Sequence, residues 1–183
     1  EGHGLVFNTS DTEPTEGYSS MLHVLWLAAG YRLGFEGLPW TRLTNVFLFS
    51  SIPVVIGIGL AAAARKRAGP AVLVTVGAFS LLLAWPGTRA HLASGMETVL
   101  FMAVHAWVFG WFALLLADDG RFGLVKCLTT GGLLFLLSLA RPEGAVLVVL
   151  YLVVAASWTY RMNEKGRLRG VLLCAGLWLG LFL

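Results

Sequence analysis

A few places in this chain carry side chains that could do chemistry. Glu97 follows Ser94-Gly95-Met96 and opens an apolar run, and His105 lies two helical turns further along a similar face. Arg141-Pro142-Glu143-Gly144 interrupts a long apolar stretch, and Asp118-Asp119 sits between two others. An ionisable group at membrane depth costs about 2.5–3.5 kcal/mol on insertion scales, which makes each one a functional suspect. Plainer roles stand beside these. Glu97 can be an ordinary helix-start carboxylate that complements the dipole, with Ser94 as its cap. His105 can hydrogen-bond inside a bundle. Arg141 has the guanidinium fork that suits a phosphate, yet its segment can also be a turn with interfacial charges. His91 and Glu97 could share a divalent cation, but two ligands do not make a metal site.

The elements that must position these residues are apolar helices. Hydrophobic residues make up 57% of the 183 and charged residues 13%, with a mean hydropathy of +0.78. A soluble domain has about a quarter of its residues charged. The expected fold class is therefore all-α, a polytopic transmembrane helical bundle. Blocks at 43–64, 70–86, 97–117, 124–140, 144–160 and 170–183 give about six spans. The seven Trp and eleven Phe suit interfacial belts and lipid-facing surfaces. Cys127 and Cys174 both lie in apolar blocks without metal-type spacing, so neither a disulfide framework nor a zinc site is expected. No basic groove with interleaved aromatics speaks for nucleic acid. Gly176-x-x-x-Gly180 has the spacing of close helix packing.

Charge sets the orientation. Arg65-Lys66-Arg67 and the basic residues of 161–169 should be cytoplasmic, and an even number of spans separates them. Asp118-Asp119 then falls on the same basic side and reads as a solvated loop, although the pair has the look of a metal site. The segments 85–97 and 141–144 face the other side. The block 21–35 is short and carries His23 and Arg32, so it reads as a juxtamembrane helix lying at the interface. The polar stretch 1–20, with Asp11, Glu13, Glu16 and Tyr18, is then an extracytoplasmic loop end. Glu1 in place of Met, and an apolar run from Gly176 to Leu183, suggest a piece of a longer protein.

Three separated motifs resemble, in order, those of the polytopic GT-C superfamily of glycosyltransferases, in particular the bacterial arabinofuranosyltransferase-like group. They are Gly4-Leu5-Val6-Phe7-Asn8 followed by Glu16-Gly17-Tyr18, then Ser94-Gly95-Met96-Glu97-Thr98, then Arg141-Pro142-Glu143-Gly144. Departures are Thr9 for proline, Ser19-Ser20 for Thr-Asn, and His23 where Trp is common. The resemblance implies a GT-C-like bundle in the bacterial plasma membrane. It implies transfer of a sugar from a polyprenyl-phosphate donor to a glycan or lipid acceptor of the cell envelope. It places a catalytic aspartate pair upstream of Glu1, so that this stretch is inactive by itself. Glu16, Tyr18, Glu97, Arg141, Glu143 and His105 become substrate-binding candidates, with Arg141 on phosphate and Glu16 and Glu97 ordering the loop or bonding sugar hydroxyls. The resemblance makes no cofactor certain and leaves a divalent cation possible. The competing reading is a transporter or flippase, which should show inverted repeats and broken helices.

Overall fold

The computed structural model describes residues 20–64, 87, 90, 92, 97–117, 123–161 and 165–182. Residues 1–19 of the expected loop 1–20, the block 70–86, the basic cluster 65–67 and Asp118-Asp119 lie outside them. The described residues are predominantly helical, with no strand among them. We number its six principal helices α1 (Met21–Arg32), α2 (Gly37–Ala64), α3 (Thr98–Ala117), α4 (Leu124–Ala140), α5 (Pro142–Arg161) and α6 (Lys165–Phe182).

Among the described residues, three stretches are long and apolar enough to cross a membrane: Gly37–Ala62, Thr98–Leu115 and Pro142–Tyr160. The blocks expected as spans at 124–140 and 170–183 fall on shorter apolar helices, Leu124–Ala140 and Leu168–Leu181. Large apolar side chains such as Phe47, Val54, Val149, Val153 and Leu173 are exposed along the helices, as lipid-facing residues are.

Local chemistry explains the boundaries. Ser20 caps α1, its Oγ accepting from the His23 N–H at 3.1 Å. The helix ends after 12 residues, about 18 Å, short of the roughly 30 Å of a hydrocarbon core. Its exit is a Schellman turn. Gly34 has φ +84, its N–H donates to Tyr31, and the Phe35 N–H donates to Gly30. This turn frees the chain to start α2 at Gly37, six residues before the expected position 43, because Glu36 accepts the first helical bond from Trp40 at 3.0 Å. Pro53 removes one bond from the interior of α2, and the helix continues past it to Ala64.

Packing around α3 and α4 forms the core. Val99, Ala103, Val104 and Val108 of α3 meet Leu134 and Leu137 of α4 and Val148 of α5, all within the most buried residues. Helices α2 and α3 run parallel and close. Trp107 bonds Ser51, and a Cβ on Gly110 would lie 2.5 Å from Val55 Cγ1. The small residues that permit close crossing are thus Gly59 and Gly110; a Cβ on Gly176 or Gly180 would meet nothing within 4 Å.

Tryptophan joins these helices. Trp26 donates its indole N–H to Thr44 (3.0 Å, α1 to α2), Trp107 to Ser51 (2.8 Å, α3 to α2), Trp111 to Thr130 (2.9 Å, α3 to α4) and Trp178 to Ser138 (2.8 Å, α6 to α4). Each acceptor hydroxyl in turn donates to a carbonyl of its own helix, so donor and acceptor are satisfied together. Counting Trp40, whose indole donates to the Trp26 carbonyl, five of the seven tryptophans make indole hydrogen bonds between helices.

Candidate functional site

The residue before a proline is pushed out of the helical region, and Pro142 fits the first position of a helix. Arg141 is accordingly extended, at φ −161 and ψ 153, and forms the whole connection between α4 and α5. The turn expected from Pro142 and Gly144 is thus a single residue, with both of them inside α5. Gly144 is required there for another reason: a Cβ would overlap the Leu137 carbonyl and lie 2.7 Å from its carbon. The tight return throws the Arg141 side chain across the end of the bundle.

There it lands on α3. The guanidinium carbon sits 5.8 Å from the centroid of the Phe101 ring, within cation–π range. Its Nε lies 3.4 Å from Glu143 Oε2, an ion contact without the alignment of a hydrogen bond, and that buried nitrogen has no hydrogen-bond partner. Glu143 stands in the first turn of α5, where its charge complements the dipole, and is largely exposed. Glu97 lies one turn before Phe101 and accepts the Phe101 N–H at 2.9 Å, so it opens α3 as its capping residue. Glu97, Arg141 and Glu143 therefore share one end of the bundle, joined by Phe101.

His105 continues the same face of α3 one turn deeper. Its ring lies 6.1 Å from Phe101 and 5.8 Å, edge-on, from Tyr151 of α5. On the other side it lines an open apolar groove of about 420 Å³ between α2 and α3, with Ile52, Ile56, Met102 and Phe109. Glu16, Tyr18 and His91 lie outside the described residues.

Three features of this end carried little signal in the sequence. Phe101 is one of eleven phenylalanines, yet it is the platform for Arg141. His23, half-buried on α1, lies within electrostatic reach of Glu97; burial pushes its pKa below the ordinary histidine value, and the carboxylate pulls weakly the other way. Asn45 of α2 is 3% exposed, and its Nδ2 has no hydrogen-bond partner. A polar residue within an apolar run was the available clue, but α2 also holds Thr41, Thr44, Ser50 and Ser51, all of which bond back to their own helix. Among the described residues, no three His, Cys, Asp or Glu side chains gather where a metal ion could be held.

Helix α1 closes this end from the side. It packs on α2 and α4, with Trp26 and Trp40 rings 5.5 Å apart and the Trp40 indole donating to the Trp26 carbonyl at 2.9 Å. Phe35 adds a third ring, 5.3 Å from Trp40. Chemically, the arrangement offers a fixed cation, two carboxylates and uncharged donors at the rim of an apolar bundle. Comparison with protein-family models, with curated proteins and with solved structures gives no match.

Proposed function

We propose that this chain is part of an integral membrane glycosyltransferase of GT-C type. It would move a sugar from a polyprenyl-phosphate donor to a glycan or lipid acceptor of the bacterial cell envelope. The observation that carries this reading is Arg141, a guanidinium held over Phe101 at the rim of apolar helices, with Glu97 one turn away. A lipid phosphate would lie at that level, and a guanidinium meets phosphate oxygens bidentately. Together with the three ordered motifs, this favours a phosphate-linked lipid over an uncharged one.

In the reaction, the acceptor hydroxyl oxygen forms a bond to the anomeric carbon and gives up its proton to a base outside the described residues, while the bond from that carbon to the phosphate oxygen breaks. The leaving polyprenyl phosphate gains negative charge, which Arg141 would stabilise more strongly than the esterified phosphate of the donor. Glu97 would accept hydrogen bonds from sugar hydroxyls. The reading assigns no catalytic base to the described residues.

Binding in nanodiscs tests it. Wild-type chain should retain polyprenyl-phosphate-linked sugar, and Arg141→Ala should weaken retention at least about thirtyfold, as truncating a buried charge contact does. Equal retention by the variant would overturn the role of Arg141. Movement of the lipid across a bilayer without sugar transfer would favour the transporter reading instead.

A further inference from the structure

Two buried side-chain donors among the described residues have no hydrogen-bond partner, and they stand at the same end of the bundle: Arg141 Nε and Asn45 Nδ2. Asn45 lies on α2 about 8 Å further along the helix axis than Trp40. The register set by the Ser51–Trp107 and Val55–Gly110 contacts brings it level with Leu100 and Phe101, the latter being the ring under Arg141. The neighbouring hydroxyls of Thr41 and Thr44 are satisfied by carbonyls of their own helix, so the unmet hydrogen-bonding capacity here belongs to the amide. A buried amide without a partner destabilises the chain, more so where no water reaches it. Such groups are rare in native proteins, and a missing ligand or water is one of the few reasons for them.

We propose that Asn45 is a ligand-binding residue whose amide hydrogen-bonds the sugar of a lipid-phosphate donor while Arg141 holds the phosphate. This rests on the glycosyl-transfer reading above and deepens it. The chemistry divides by charge. A guanidinium only donates and prefers an anion, whereas a carboxamide both donates and accepts and so matches a hydroxyl, which does the same. Asn45 would then discriminate the glycosylated lipid from the bare lipid phosphate, a distinction that Arg141 cannot make.

The test uses the whole chain in nanodiscs, titrated with polyprenyl phosphate and with the same lipid carrying arabinofuranose, mannose or glucose. Asn45→Leu keeps the side chain's size and removes its hydrogen bonding. The expected result is about a tenfold weaker affinity for the glycosylated lipid that wild type binds best, the equivalent of one good hydrogen bond. Affinity for the bare phosphate should stay within about twofold. The melting temperature should rise, because an unsatisfied buried donor has gone. Unchanged affinity for the glycosylated lipid overturns the inference and leaves the glycosyl-transfer reading standing. Equal loss for both lipids with a lower melting temperature also overturns it, by giving Asn45 a structural role. Wild-type chain that binds none of the glycosylated lipids defeats the reading and the inference together. Asn45→Ala, judged by the same criteria, decides the matter if the leucine variant does not fold.

Discussion

Two sets of buried polar groups in this bundle are built in opposite ways. Along the helix interfaces, Trp107, Trp111 and Trp178 each donate to a hydroxyl that donates onward to a carbonyl, so every group in the chain of bonds is satisfied. At the end that carries Glu97 and Arg141, the Asn45 Nδ2 and the Arg141 Nε are buried without a hydrogen-bond partner, the latter held only by an ion contact to Glu143. A hydrogen bond inside a low-dielectric interior is strengthened, and the same environment penalises a group left without one. The first region therefore reads as structure held for its own sake. The second carries a cost that only an additional partner removes. The difference teaches where to look for a ligand when no charge cluster or metal set marks the place.

The largest effect should come from the backbone that separates the two regions. Gly144→Val places side-chain atoms against the Leu137 carbonyl and forces α5 off α4, moving Arg141 with it. About 3 kcal/mol of stability should be lost, at the upper end of overpacking costs. Thermal unfolding in detergent measures this, and a variant that melts with wild type would show that the close pass is dispensable.

Ser138→Ala breaks a satisfied pair and converts it to the other kind. The indole N–H of Trp178, which is 7% exposed, loses its acceptor. Stability should fall by about 1 kcal/mol, the usual net worth of such a bond between membrane helices. The contrast is with Asn45→Leu, which should raise stability. If both substitutions moved it in the same direction, the division between the two regions would collapse.

The smallest effect concerns His23. Its folded pKa lies below the ordinary value of about 6.5, because burial disfavours the cation. Its contribution to stability is thus fully present above about 6.5 and is lost as pH falls through the lower folded value, since the unfolded chain takes up the proton first. His23→Gln should flatten the decline in melting temperature between about pH 7 and pH 5. Parallel declines in the two proteins would remove His23 from the account.

Much of this end was readable from residue types and their order. The Glu97, Phe101 and His105 spacing puts the three on one face of any helix that contains them, and α3 contains Phe101 and His105 with Glu97 as its cap. Pro142 alone determines that Arg141 leaves the helical region. The start of α2 was missed because hydropathy rises only at Leu43, whereas the cap at Glu36 and the turn at Gly34 decide where helical bonds begin. The packing glycines were missed because spacing along one helix says nothing about what the facing helix presents. Gly110 is close to α2 since Val55 happens to stand opposite, while Gly176 and Gly180 face open space.

What the sequence by itself determined is the all-helical, membrane-suited character of the chain and the placement of its charges at helix ends. Both follow from local rules: apolar runs must satisfy their backbone internally, and prolines, caps and charges mark where they stop. Only the tertiary structure decided which indole meets which hydroxyl, that Phe101 lies under Arg141, and that the Asn45 Nδ2 is buried without a hydrogen-bond partner. Those outcomes depend on the rotation and register of one helix against another, which arise from side-chain shapes meeting across helices distant in sequence.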